Sequence, residues 1–215
     1  LDVTYEAPED QILPSSVDLR SDFPEIQSQG IQSACTAFSL VSVIEYFLSK
    51  ILKKKTNLSE AFAYYNARAL RNETNIDEGA TFIDIIQSIR DSGVCLEELC
   101  PYDPNIYNAK PSDEAYSEAE CRKITEAKNV CINVNDVKSA LAQGFPVVIS
   151  ARAFGAYLTN RKGVLRIPTD AELEDTENNH AMVICGYIDK EGFFIVRNSW
   201  GKNFGDNGYC YLPYE

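Results

Sequence analysis

The apolar residues Phe38, Val41, Ile44, Leu48, Ile51 and Leu52 follow one another in steps that average between three and four. Such steps line one stripe of an α-helix, so the pattern predicts a buried helix from Cys35 to about Lys54. Cys35 then sits at its N-terminal end. A second helix is expected from Ser59 to about Arg71. A third opens with the capping box Thr81-Phe82-Ile83-Asp84 and stops at Gly93, a residue suited to a helix end. A shorter helix, Asn135 to Gln143, is closed by Gly144. After that glycine the character changes. Phe145 to Ala151 is apolar and β-branched, and Ala181 to Tyr187, Phe193 to Asn198 and Gly208 to Leu212 read as further strands. Asp189-Lys190-Glu191-Gly192 has turn chemistry. Pro14 to Asp18 reads as an extended lead-in.

Helices first and strands second make an α+β arrangement. We divide the chain into an acidic, aperiodic arm (1–13), a mostly helical region (14–127) and a strand-rich region (128–215). A site using residues of both regions would lie in the cleft between them. No apolar run approaches the roughly 18 residues that span a bilayer, and no membrane partner is expected. The net charge of −12 opposes nucleic-acid binding, because phosphates would be repelled. Lys53-Lys54-Lys55 is too short to reverse this and reads as the solvated end of a helix.

Leu1 to Glu6 lacks the basic and apolar stretches of a signal peptide. Seven cysteines leave one over after three bridges, which would suit an oxidising compartment, whereas seven reduced thiols would suit the cytosol. Cys95, Cys100 and Cys121 flank loops and are the expected bridge members. Cys131, Cys185 and Cys210 sit in apolar runs and read as small core residues. Asn57 and Asn72 head glycosylation sequons. The compartment expected is extracellular or lysosome- and vacuole-like. One histidine and scattered cysteines lack metal-ligand spacing, so neither a metal nor a cofactor is expected.

His180 is the only histidine. Cys35 precedes it by about 145 positions, and Asn198 follows in Asn198-Ser199-Trp200-Gly201. Each has a dull reading alone: a small buried thiol, a core imidazole, a turn. Together they are a nucleophile, its base and the group that orients the base. A thiol with a pKa of roughly 8.5 is mostly unreactive at neutral pH. A helix N-terminus and a nearby imidazolium both favour its thiolate. His180 then protonates the leaving amine, and Asn198 accepts from the other ring nitrogen. Gln29 is placed to donate to the oxyanion, with the Cys35 main-chain N–H as second donor.

The chain resembles the papain family of papain- and cathepsin-like cysteine peptidases from Leu13 onward. The motifs that carry this are Leu13 to Arg20, Gln29-Gly30 to Ser39, Leu58-Ser59-Glu60, Cys100-Pro101-Tyr102, Asn179-His180-Ala181, and Asn198 to Gly201 continuing through Gly205 to Tyr209. The resemblance implies a helical left domain, a β-barrel-like right domain and peptide hydrolysis in the cleft. It implies Cys35 as nucleophile, His180 as acid/base, Asn198 as orienter and Gln29 as oxyanion donor. It also implies that Gly79, Trp200 and Asn179 line the substrate site, with Trp200 covering the Asn198–His180 contact; Ala80, Thr81 and Asn178 are further candidates for lining. A zymogen, peptide or protein substrates, a propeptide or protein inhibitor in the cleft, and a monomer follow from it as expectations.

The departures are specific. Gln32 stands where the family has a cysteine three residues before the nucleophile, and Ile76 where it has the bridge partner. That bridge is therefore absent. Thr36 replaces the aromatic residue after the nucleophile. Glu78-Gly79 replaces a Gly-Gly pair. Two other readings are a catalytically silent binding protein on the same scaffold, and acyl transfer by the same thiol. A short arm ahead of the mature motif suggests a propeptide remnant or a segment folded across the cleft.

Overall fold

A computed structural model describes residues 3–153, 162–174 and 179–214. The chain divides into two compact units. One comprises Asp22–Glu25 and Gln29–Ala127. The other comprises Leu1–Ser21, Ile26–Ser28 and Lys128–Glu215.

The first unit is helical. Helix α1 spans Cys35–Leu52, α2 Glu60–Ala69, α3 Phe82–Ser92 and α4 Asp113–Ala119. Three N-termini are capped by side chains that accept otherwise unpaired main-chain N–H groups. Ser59 accepts from Phe62, Thr81 and Asp84 form the full capping box, and Ser112 accepts from Ala115. Gly93, with φ of 74°, ends α3. Helix α4 escapes the sequence reading because its buried face is only Ala115 and Ala119, too small to print an apolar stripe.

The α1 face differs from expectation. Ile51 and Leu52 are exposed, and Ile44 and Leu48 are half-buried. The buried face includes Phe38, Val41 and Tyr46 together with Ser42, Glu45 and Ser49. Two of those polar groups, Glu45 and Ser42, have partners inside. Glu45 accepts the Leu58 N–H at 2.8 Å, and the Ser42 hydroxyl donates to the Ser39 carbonyl at 2.9 Å. Although polar residues interrupt it, this 18-residue helix has mean hydropathy 1.5, enough by length and composition alone to cross a bilayer. Half of it is buried inside the protein, so it serves as a core helix here. Phe23 stacks on Tyr46, with ring centroids 4.8 Å apart. Lys53 to Lys55 are exposed beyond α1.

The second unit is built on a five-stranded antiparallel sheet. Its strands are β1 Ser16–Asp18, β2 Val147–Arg152, β3 Asn179–Ile188, β4 Phe193–Arg197 and β5 Tyr209–Pro213. The order is β1-β3-β4-β5, with β2 also paired to β3. Strand β3 pairs with β2 through its first half and with β1 near its end. Between Ile184 and Gly186 its register against β4 shifts. Gly186 is required there, since a Cβ would lie 2.3 Å from the Val17 carbonyl oxygen. Helix α5 (Val134–Ala142) packs Val137 and Leu141 into a core with Met182, Ile184, Tyr187, Phe194 and Val196. A short helix, α6, spans Asp170–Glu174. Near the N-terminus, Thr4 bridges to Asn129, and the Tyr5 hydroxyl meets Ser139 of α5 at 2.8 Å.

All seven cysteines are unbridged. The expected bridge member Cys95 is instead fully buried, in a small cluster with Phe62, Ala115 and Ala119. Cys185 and Cys210 are buried core residues, whereas Cys131 is exposed. An apolar neighbourhood in sequence did not place Cys131 inside, and Ile132 beside it is exposed too.

Candidate active site

In the helical unit, Cys35 is the first residue of α1 and is half-buried. Ala34 occupies the N-cap, where a side-chain acceptor is absent, and the first turn holds no acidic residue. The positive end of the helix is therefore not neutralised by a neighbouring carboxylate, a setting that favours a thiolate. The segment before it is fixed at several points. The buried Gln29 carboxamide donates to the Gln32 carbonyl at 2.8 Å. The Tyr102 hydroxyl donates to the Gln29 carbonyl at 2.8 Å, and its ring meets Phe38 edge-on at 4.8 Å. Gly30 adopts φ of 59°, and a Cβ there would lie 2.8 Å from Pro104. Gln32, at the position of the missing cysteine, is buried and donates to the Asp103 carbonyl at 3.0 Å. Gly79 lies beside Ser33, with φ of 90°. Ala80 is half-buried, Thr81 caps α3, and Glu78 is exposed.

In the strand unit, His180 sits near the start of β3, paired with Ala151 of β2. Asn198 follows directly after β4, held by its N–H to the Gly208 carbonyl at 3.1 Å. The two side chains meet with His180 Nε2 and Asn198 Oδ1 2.7 Å apart. Oδ1 also accepts the Ser199 N–H at 2.7 Å. An amide oxygen only accepts, so Nε2 carries a proton and Nδ1 is the remaining acid/base atom. Trp200 stacks over the imidazole, centroids 4.5 Å apart and planes 21° apart. Phe204 braces Trp200 edge-on at 5.1 Å.

Burial lowers the His180 pKa from its ordinary value, and the Asn198 hydrogen bond opposes that. Asn198 Nδ2 is buried without a hydrogen-bond partner, so the amide is held by what its oxygen accepts. Asn179 is exposed at the first position of β3. Asn178 lies outside the described residues. Among the described residues, no group of three His, Cys, Asp or Glu side chains could hold a metal.

Each unit thus assembles part of the predicted set. His180, Asn198 and Trp200 form one contact group, and Gln29 and Gly79 lie within the segments around Cys35. Sequence reasoning missed the supports: Tyr102 under Gln29, Phe204 under Trp200, and Tyr64 and Asp77 beside Gly79. The Tyr102 and Tyr64 contacts join residues 73 and 15 positions apart, so no local pattern announces them, whereas Phe204 and Asp77 lie close in sequence to the residues they support.

A family model described as papain family cysteine protease matches residues 13–215. An uncharacterised peptidase C1-like protein of Acanthamoeba polyphaga mimivirus is 32% identical over 199 residues, covering 87% of this chain and 63% of that protein. Mouse cathepsin S is 29% identical over 222 residues, covering 96% and 61%. The chain thus spans less than two-thirds of either relative. The crystal structure of xylellain, a cysteine protease from Xylella fastidiosa, superposes with a TM-score of 0.87 at 32% identity, covering 99% of this chain and 85% of that one.

Proposed function

The chain belongs to the papain family of cysteine proteases, and on that premise we propose that it is a cysteine endopeptidase cleaving peptide bonds through an acyl-enzyme. Cys35 is the nucleophile, His180 the acid/base, Asn198 the group that orients His180, and Gln29 an oxyanion donor. Gly79, Trp200 and Asn179 contact the substrate. The observation that carries this reading is the 2.7 Å His180–Asn198 bond beneath Trp200. It commits Nε2 to a fixed partner and leaves Nδ1 for proton exchange.

The Cys35 thiolate attacks the peptide carbonyl carbon, forming a C–S bond while the carbonyl electron pair moves to oxygen. The Gln29 amide and the Cys35 main-chain N–H hold that oxyanion, each donor worth about 3 kcal/mol. As the tetrahedral centre collapses, the C–N bond breaks and the amine takes the Nδ1 proton. Water then attacks the thioester and gives a proton to Nδ1. Collapse releases the carboxylic acid and restores the thiolate. Asn198 is a neutral acceptor, which fixes the ring orientation without adding a second negative charge beside the thiolate–imidazolium pair.

Alkylation with iodoacetamide at about pH 5.5 tests this. An ordinary thiol is only about 0.1% thiolate there. Rapid single labelling at Cys35, lost in His180→Ala, together with peptide cleavage abolished in Cys35→Ala, is the expected result. Slow labelling scattered over several thiols would sink the assignment.

A further inference from the structure

The segments carrying Cys35 and Gly79 are joined by a hydrogen-bonded link. Asp77 sits two residues before Gly79. Its carboxylate accepts the main-chain N–H of Ser33, two residues before Cys35, at 3.1 Å through Oδ1 and 3.4 Å through Oδ2. The buried Tyr64 hydroxyl donates to the same Oδ1 at 2.6 Å and accepts the Gly79 N–H at 3.2 Å. One carboxylate and one phenol thus join Ser33, Asp77 and Gly79 in a continuous chain of hydrogen bonds.

Arg68 stands behind them and is 1% exposed. Its guanidinium lies 4.0 Å over the Tyr64 ring. It donates to the carbonyls of Thr74 and Ile76, each at 2.9 Å, and to that of Tyr107. A buried cation satisfied by carbonyls fixes the backbone leading into Asp77, and hydrogen bonds to charged groups are stronger than neutral ones. The positions where a covalent bridge would join these segments hold Gln32 and Ile76 instead. Gln32 is turned to the Asp103 carbonyl, and Ile76 is exposed.

We propose that Asp77 is a positioning residue: with Tyr64 and Arg68, it ties the nucleophile segment to the substrate-binding Gly79 segment by hydrogen bonds, where a covalent tether is lacking. The inference rests on the roles given above to Cys35 and Gly79. The tether sets the Gly79 main chain, which takes the substrate backbone, relative to Ser33 and the residues leading to Cys35. It does not touch the reacting atoms. Its loss therefore weakens substrate binding more than it slows chemistry.

Tyr64→Phe removes one hydroxyl and leaves the ring, and Asp77→Asn removes the charge at constant shape. The measurements are amide hydrogen exchange at Ser33, steady-state kinetics on a peptide substrate, and Cys35 alkylation at pH 5.5. Both variants are expected to speed Ser33 exchange and raise KM, each by roughly tenfold. The value of kcat and the alkylation rate should stay within about threefold, since the thiol and its base are untouched. Unchanged Ser33 exchange overturns the tether. Faster exchange with unchanged KM overturns the positioning role, as does a fall in kcat that merely tracks the folded fraction. If wild-type protein cleaves no peptide, the peptidase reading fails by itself, and Ser33 exchange in the two variants still decides whether the tether exists.

Discussion

His180 is pulled in two directions. Burial favours the neutral ring, and the Asn198 oxygen favours the charged one. Burial is the larger effect, so without a thiolate the ring should titrate below its ordinary 6.5. In the proposed pair, a Cys35 thiolate would add a negative charge that reverses this. Because the chain has one histidine, its ring signals in an NMR titration are unambiguous. In Cys35→Ala, His180 is expected to titrate below 6.5, and in the Cys35→Ala/Asn198→Ala pair lower still. A native protein whose ring titrates no higher than that of Cys35→Ala would exclude a thiolate–imidazolium pair. The stability consequence has a definite sign. A folded-state pKa below the unfolded value means the unfolded chain binds the extra proton first, so Cys35→Ala loses stability as pH falls below about 6.5. The residue types and their order were plain in the chain. The His180–Asn198 pairing and the Trp200 cover over it were expected as well; which ring nitrogen Asn198 takes and the geometry of the stack were not, because both depend on where β4 delivers Asn198.

At the scale of elements, helix ends were legible and faces were less so. Ser59, the Thr81–Asp84 box and Gly93 act within four residues of their own position, so local sequence displays them. The α1 face was misjudged because Glu45 and Ser42 found partners, one of them beyond the helix. Strand positions were legible from β-branched apolar runs, but the pairing of β3 with three strands was not. One glycine joins this scale to the site. Gly208 has φ of 91°, and a Cβ would fall 2.5 Å from Ile26 Cγ2 and 2.9 Å from its Cβ. The Gly208 carbonyl accepts the Asn198 N–H. Gly208→Ala is therefore expected to cost about 1–3 kcal/mol in urea unfolding from backbone strain alone. It should also lower kcat/KM by displacing Asn198. A stability loss with unchanged kcat/KM would show that the turn does not position the orienting amide.

For the molecule as a whole, seven unbridged cysteines mean that neither unit relies on a covalent cross-link. Denatured without reductant, the protein is expected to take up seven alkyl groups by intact mass, and reductant should leave its thermal midpoint unchanged. A mass short by two groups would reveal one bridge, and a midpoint that falls with reductant would show that it stabilises the fold. The arm before Pro14 illustrates what tertiary structure adds: its Tyr5 contacts run to Asn129 and Ser139, partners too distant in the chain for any sequence period to show. By itself the sequence determined the α+β class, the caps and periods of most elements, and the family, since these rest on local propensity, spacing and short motifs. Only the tertiary structure decided which polar groups are buried with partners, which cysteines are inside, the tautomer held on His180, and the Asp77 link between Ser33 and Gly79. Those outcomes are set by hydrogen-bond geometry and desolvation between residues far apart in the chain, and no one-dimensional pattern encodes either.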